Sequence, residues 1–170
     1  LDATILLTPM SKYSFRTELD LVSKSNNYAG PRLNLSVLNR NTFKGAELLN
    51  LKLAGTYEAQ VGRNTKNLYT YSYNPQAELT FPSFIVPFKL KESNSIFLPK
   101  THILLSYNFL KKVDYFDMNT LKTAFGYQWR KDIRIDHELN PIDVSYSSVR
   151  NKSAKFNELL ESNPFLKKSY

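Results

Sequence analysis

The stretch Lys-Tyr-Ser-Phe-Arg-Thr-Glu-Leu-Asp-Leu-Val at residues 12–22 alternates with a period of two. Its odd positions hold Tyr13, Phe15, Thr17, Leu19 and Leu21; its even positions hold Lys12, Ser14, Arg16, Glu18 and Asp20, before Val22. Successive side chains of a β-strand point to opposite faces, so residues written in this order form a strand with one apolar and one polar face. Wound as a helix, the same residues would mix the two classes around the whole surface.

The pattern repeats along the chain. After the loop composition of residues 23–27, Leu33, Leu35 and Val37 oppose Arg32, Asn34, Ser36 and Leu38. Residues 39–47 hold a turn around Gly45, where a positive φ would favour glycine. Leu49, Leu51, Leu53, Tyr57 and Ala59 then oppose Asn50, Lys52, Thr56, Glu58 and Gln60. Beyond a polar loop at residues 63–67, a fourth strand spans 68–81 and ends with Ala77, Leu79 and Phe81 against Gln76, Glu78 and Thr80. A long connection with Pro82, Pro87 and Pro99 follows, because proline cannot donate to a strand ladder. Ile103, Leu105, Tyr107 and Phe109 oppose His102, Ser106 and Asn108 in a fifth strand. Leu121, Thr123, Phe125, Tyr127 and Trp129 oppose Thr120, Lys122, Gln128 and Arg130 in a sixth. A turn expected at Leu139-Asn140-Pro141 precedes a seventh, with Ile142, Val144 and Tyr146 against Asp143, Ser145 and Ser147. Only residues 153–160 read as helical, with Phe156, Leu159 and Leu160 at helical spacing.

These runs are longer than the usual soluble strand of about five or six residues and match the roughly 9–11 that a tilted strand needs to cross a bilayer. The fold class expected is therefore all-β, an antiparallel transmembrane β-barrel. The connections alternate between two sides: loops at Asn26, Asn64 and Asp114 on one, and turns at Gly45, at residues 82–100 and at Asn140 and Pro141 on the other, periplasmic side. The residues expected to face lipid are Tyr13, Phe15, Leu19, Leu21, Leu33, Leu35, Val37, Leu51, Leu53, Tyr57, Leu79, Phe81, Ile103, Leu105, Tyr107, Phe109, Phe125, Tyr127, Trp129, Val144 and Tyr146. Those expected to face a water-filled lumen are Arg16, Glu18, Asp20, Arg32, Lys52, Glu58, Glu78 and Arg130, since burying so many charges in a small core is costly. A soluble sheet with one wet face satisfies the same alternation, so a β-sandwich binding domain stays open as an alternative. Seven strands are fewer than the eight of the smallest outer-membrane barrels, whose strand numbers are even. The chain accordingly reads as about seven strands of a larger barrel, cut from a longer precursor.

Composition narrows the function classes. The chain is 42% hydrophobic and 14% aromatic with a mean hydropathy of −0.40. No run approaches the roughly 18 apolar residues of a membrane helix, a filter that misses strands because only alternate residues face lipid. The aromatic load, eleven Phe, eleven Tyr and one Trp, suits a broad apolar surface with aromatic borders. There is no cysteine, which excludes disulfides and thiolate metal sites. The net charge of +8 comes from dispersed residues, with adjacent basic pairs only at Arg130-Lys131, Lys111-Lys112 and Lys167-Lys168, so no nucleic-acid partner is expected. His102 and His137 lie in different segments without metal-ligand spacing, so no metal and no cofactor are expected. Asp132, Asp136 and Glu138 stand among Arg130, Lys131 and Arg134, which reads as a solvated ion-pair network rather than a hydrolytic carboxylate pair. Neither a phosphate-binding glycine loop nor a GxSxG elbow is present, and no enzyme activity is expected.

Several strings resemble one family. Residues 38–47, Leu-Asn-Arg-Asn-Thr-Phe-Lys-Gly-Ala-Glu, resemble the first periplasmic turn of the BamA/TamA surface-antigen family in its Bacteroidetes, TamL-like form. Glu78-Leu79-Thr80-Phe81-Pro82 with Val86-Pro87-Phe88 resembles its second turn. Phe125-Gly126-Tyr127-Gln128-Trp129 with residues 137–142, His-Glu-Leu-Asn-Pro-Ile, resembles the sixth strand and third turn, and Asn163-Pro164-Phe165-Leu166 a later surface loop. The resemblance implies that residues 1–9 end a periplasmic POTRA domain, that 10–150 are the first strands of a sixteen-stranded barrel, and that 151–170 are a surface loop with a short helix. It implies an outer-membrane protein that inserts or translocates other outer-membrane proteins through a lateral seam. Ser14, Phe15, Arg16, Thr17, Glu18 and Leu19 would form the gate strand. The implied partners are membrane lipid, the remaining barrel strands, client outer-membrane proteins and accessory assembly subunits. A passive channel or structural barrel without insertase activity is the other reading of the same fold.

Overall fold

The computed structural model describes residues 10–25, 27–62, 68–88, 97–130 and 132–162. Residues 1–9, expected to end a POTRA domain, and the loop string at 163–166 lie outside the described residues, as do the loop residues Asn26 and Asn64.

The described chain is all-β apart from one helix. Seven strands run β1 (Tyr13–Ser23), β2 (Tyr28–Asn39), β3 (Leu48–Gln60), β4 (Tyr69–Phe81), β5 (Lys100–Lys112), β6 (Phe116–Arg130) and β7 (Asp136–Arg150), followed by helix α1 (Ala154–Ser162). They form one antiparallel sheet in sequence order, each strand paired with its chain neighbours, and β1 and β7 are its two open edges. Such a meander follows from strong alternation in consecutive segments, since each new strand finds its predecessor first.

Three prolines sit within strands, each at a gap in a ladder. Pro31 in β2 falls where the pairing with β3 skips from Ala29 to Arg32. Beside it Gly30 lies so close to β3 that an added Cβ would meet the Tyr57 carbonyl at 1.9 Å. Pro75 in β4 falls where pairing with β5 skips from Tyr73 to Gln76. The Asn74 side-chain amide there donates to the Tyr107 carbonyl at 3.2 Å, supplying a donor beside a residue that has none.

The third, Pro141, corrects the sequence reading. Asn140 and Pro141, expected in a periplasmic turn, lie inside β7. Phe125 is opposite Ile142 and Tyr127 opposite Leu139, so the Asn140-Pro141 pair faces the single Gly126 in a β-bulge. A bulge leaves its extra residue unpaired, which is where a proline is tolerated in a strand. The chain reverses earlier, between β6 and β7, where Asp132 Oδ1 accepts from the amides of Arg134 at 2.7 Å and Ile135 at 3.1 Å. An aspartate that bonds its own following backbone is itself a turn signal.

Gly45 does lie in the β2–β3 connection, but for another reason than the one expected. The positive φ values there belong to Lys44 (72°) and Ala46 (61°), and no described glycine has one. A Cβ on Gly45 would instead meet Glu47 Oε1 at 2.3 Å. Glu47 Oε2 accepts from the Phe43 and Gly45 amides, both at 3.0 Å, and Asn41 Oδ1 accepts from the Ala46 amide at 3.1 Å.

Helix α1 covers the residues expected to be helical. Ser153 caps it: its hydroxyl accepts from the Phe156 amide at 3.2 Å and donates to the Asp114 carbonyl at 2.6 Å. Phe156 is buried against Phe116, their ring centroids 4.7 Å apart. The side chains of Leu159 and Leu160 lie outside the described residues.

Candidate functional site

Residues directly across an antiparallel ladder put their side chains on the same face, so the register tests the two-sided pattern strand by strand. One row runs Phe15, Val37, Leu51, Ala77, Leu105, Thr123, Val144 across all seven strands. The next row runs Arg16, Ser36, Lys52, Gln76, Ser106, Lys122, Ser145. The first is apolar but for one threonine; the second is wholly polar. The separate alternations of seven strands thus merge into one apolar face and one polar face.

The apolar face holds Tyr13, Leu19, Leu21, Leu33, Leu35, Leu53, Tyr57, Leu79, Phe81, Ile103, Tyr107, Phe109, Phe125 and Tyr146 beside the first row. Much of it is bare: Phe15 is 69% exposed, Leu19 74%, Leu105 52% and Tyr146 67%. Among the described residues the buried apolar side chains are Tyr28, Ala124 and Phe156 alone. A sheet that hides so little of its apolar surface in itself leaves that surface for something else to cover.

Aromatic residues collect at the two ends of this face. Toward one end Tyr57 and Tyr69 lie 6.0 Å apart, Tyr71 and Phe109 6.2 Å, and Tyr73 and Tyr107 6.3 Å. Toward the other, Phe125 and Tyr127 lie 5.2 Å apart, and Trp129 stacks on His137 at 5.1 Å. Aliphatic residues fill the space between. Tyr127 and Trp129, expected bare, are half-covered by Phe84 from the β4–β5 connection. Two polar residues on this face are satisfied within the protein: Asn119 Oδ1 accepts from the Tyr107 hydroxyl at 2.7 Å, and Thr101 bonds the backbone of the same connection.

The polar face is laced across strands. Asn34 donates to Asp20 at 2.9 Å, Ser36 to Asn50 at 3.2 Å and Asn74 to Ser106 at 3.2 Å, and Lys122 pairs with Asp143 at 3.3 Å. Arg16, Glu18 and Lys52 line one hollow on this face, and Glu78, Lys100, His102 and Glu138 another. Arg32 and Asp20 are directly across from one another. Arg130 forms a two-pronged pair with Asp136, at 2.5 and 2.8 Å, so these charges form an ion pair at a strand end. Glu58 departs from the expectation that it faces water. It is buried, 5% exposed, beneath Lys24, whose Nζ lies 2.6 Å from its carboxylate.

His102 and Asn140, on strands separated by β6, meet at 2.9 Å, and Asn140 donates onward to Glu138 at 2.8 Å. Gly126 makes this possible: a Cβ there would lie 1.9 Å from Asn140 Oδ1 and 2.6 Å from His102 Nε2. Sequence reading missed this constellation because it placed Asn140 in a turn; the Gly126 within an apolar-polar run was the available signal. Among the described residues no group of three His, Asp or Glu is disposed to hold a metal.

The open edge at β1 has a definite polarity. Its pairing with β2 is unbroken from Tyr13 opposite Asn39 to Ser23 opposite Ala29. Just beyond each end, Arg40 donates to the Lys12 carbonyl at 2.9 Å and Lys24 to the Tyr28 carbonyl at 2.8 Å. Antiparallel strands alternate bonded and non-bonded pairs, so the even residues Ser14, Arg16, Glu18 and Asp20 bond to β2. The odd residues Phe15, Thr17 and Leu19 turn their N–H and C=O toward the open side.

No protein-family model matches this chain, and no curated protein or solved structure is similar to it. No helix among the described residues is long and apolar enough to cross a membrane, which says nothing of strands.

Proposed function

We propose that this sheet is the N-terminal part of a transmembrane β-barrel in a bacterial outer membrane, and that the barrel belongs with the BamA/TamA assembly factors. The observation that carries the membrane reading is the bare apolar face bordered by aromatic residues. Ten residue steps separate Tyr71 from Phe81 on β4. At about 3.4 Å each they cover ~34 Å along the strand, or about 26 Å at a tilt of about 40°. Outer-membrane barrels carry an apolar band of roughly this height, about 25 Å, between aromatic girdles. Internal satisfaction of Asn119 and Thr101 supports the same reading, since hydrocarbon offers no partner to a polar group.

A soluble sandwich would bury this face against a second sheet, and the described residues form one sheet. A closed barrel needs further strands to join β1 and β7, because open edges are not tolerated in lipid. Those strands, supplied by more of the parent chain, would complete a sixteen-stranded barrel.

The assembly activity rests on the edge of β1 and on the family likeness of residues 38–47, 125–129 and 137–142. Where the seam between first and last strands opens, the free N–H groups of Phe15, Thr17 and Leu19 template an incoming client strand by β-augmentation. Main chain does the work, and no bond is made or broken in the client. Proline tests this with its own control. Phe15→Pro and Thr17→Pro remove donors that face the seam, whereas Arg16→Pro removes one already bonded to β2. Loss of client insertion with retained barrel folding is expected for the first two, and loss of folding stability for the third. Client insertion at the unaltered rate by both seam variants, with the barrel folded, would refute the gate. A passive channel is the second reading, favoured by the hydrogen-bonded, mixed-charge polar face; ion conductance without client insertion would establish it.

A further inference from the structure

Leaving β4 at Phe81, the chain folds back over the apolar face. The strap at residues 82–88 is held from beneath by two side chains of that face. Thr101 Oγ1 donates to the Ser83 carbonyl at 2.8 Å and accepts from the Ile85 amide at 2.9 Å. The Tyr127 hydroxyl donates to the Ile85 carbonyl at 2.9 Å. Phe84 meets Tyr127 and Trp129 edge-on, at centroid distances of 5.6 and 6.0 Å. Thr101, directly across from Phe81 and Tyr127, breaks the apolar pattern of its row and is 0% exposed. Its hydroxyl is the strap's fastening.

With these three main-chain groups turned inward, the strap presents apolar side chains outward. Ile85 is 44% exposed and Phe88 62% exposed. They continue the bare face past its border of Tyr127 and Trp129, residues whose apolar rings and polar tips suit the level where hydrocarbon meets headgroups.

We propose that the strap is a membrane-surface anchor, seating Ile85 and Phe88 at the boundary between acyl chains and headgroups of a phospholipid bilayer. The proposal rests on the membrane-spanning reading of the sheet. Its occupant is lipid because the strap is continuous with the apolar face and turns the Ser83 carbonyl and both main-chain groups of Ile85 inward, leaving Ile85 and Phe88 exposed. Anchored there, the strap fixes the depth at which the barrel rides.

These 170 residues contain no cysteine, so a single spin label can be placed in them once any cysteine in the remaining strands is replaced. The closed barrel, with the further strands that join β1 to β7, is refolded into vesicles of phosphatidylcholine and phosphatidylglycerol and labelled at Ile85→Cys, Leu51→Cys or Lys52→Cys. Collision with oxygen, which concentrates in lipid, is compared with collision with a water-soluble nickel chelate. The oxygen-to-nickel ratio is expected to be several-fold higher at Leu51→Cys and Ile85→Cys than at Lys52→Cys. Adding Thr101→Val, which keeps the shape and removes the hydroxyl, is expected to lower the Ile85→Cys ratio toward that of Lys52→Cys. A nickel-favoured Ile85→Cys label beside an oxygen-favoured Leu51→Cys label overturns the anchor alone. A label at Ile85→Cys shielded from both reagents shows protein rather than lipid over the strap, and also overturns it. A nickel-favoured Leu51→Cys label removes the membrane reading itself, and the anchor with it.

Discussion

Leu51→Arg separates a lipid-facing sheet from a wet one by magnitude. Leu51 stands in the central row of the apolar face, between Val37 and Ala77, and is 45% exposed. Its partner Ala77 lies six residue steps from Tyr71 and four from Phe81 on β4, close to the middle of the band between the aromatic borders. If that face met water, an already half-exposed leucine could be replaced with a change of about 0.5 kcal/mol or less. If it meets hydrocarbon near the midplane, arginine costs about 2–4 kcal/mol. Since each 1.4 kcal/mol is tenfold, the folded-to-unfolded ratio would fall by roughly 30- to 700-fold. Lys52→Arg, one residue along and on the polar face, is the control and should be nearly silent.

The assay is reversible guanidinium unfolding of the barrel in phospholipid vesicles. It is read by intrinsic tryptophan emission and by the shift in gel migration between folded and boiled protein. Leu51→Arg should move the midpoint well below that of Lys52→Arg, with Leu105→Arg, two strands along the same row, behaving alike. A Leu51→Arg midpoint indistinguishable from the control, in protein folded in lipid, would refute the inference from bare apolar face to membrane contact.

Three further outcomes follow from local geometry. Gly126→Ala pushes a methyl into Asn140 Oδ1 and should destabilise by about 1–3 kcal/mol, the usual cost of overpacking; Asn140→Ala in the same chain should recover part of it, checked by a double-mutant unfolding cycle. Asn74→Ala leaves the Tyr107 carbonyl beside Pro75 without its side-chain donor, and should cost about 1–3 kcal/mol in the same unfolding assay. In the β2–β3 turn, the amide of Glu47 itself, with those of Gly45 and Phe43, holds the Glu47 carboxyl below the usual carboxylate range against an opposing desolvation. A depressed acid lends its stability above the unfolded-state pKa and loses it as pH falls through the folded one. Protection of the Phe43 and Gly45 amides from exchange, taken relative to the intrinsic rate at each pH, should therefore fall in acid, and Glu47→Gln should flatten that dependence.

The sidedness was legible in the sequence because it is a local property. Each of Phe15, Leu51 and Val144 sits between polar neighbours, and a period of two needs no knowledge of the partner strand. The register then placed them in one row, which no single segment shows. What misled the reading was proline. Asn140-Pro141 has the composition of a turn, yet a missing donor is harmless in a strand where the ladder already has a gap, and only the facing Gly126 hinted at one. Gly45 shows the same limit: its composition signals a positive φ, yet the positive φ values fall on Lys44 and Ala46 while Gly45 lies beside the Glu47 carboxylate. Glu58 followed the alternation faithfully and still ended buried, because Lys24 lies above it from a loop whose course the alternation does not encode.

The polarity of the β1 edge adds a selection rule to the proposed gate. The residues that offer free main-chain groups there, Phe15, Thr17 and Leu19, are those whose side chains lie on the apolar face. A strand that pairs with them sets its own directly opposed residues on that same face. A client strand thus bonds in a register that places its apolar residues opposite Phe15 and Leu19, and a slip by one residue turns its polar set into lipid. Templating by main chain alone is in this way blind to sequence but not to pattern, so a client strand stripped of its alternation should fail at the seam even with every backbone donor intact. A β1 edge that accepted alternating and non-alternating client strands at equal rates would show that the pairing register carries no selection.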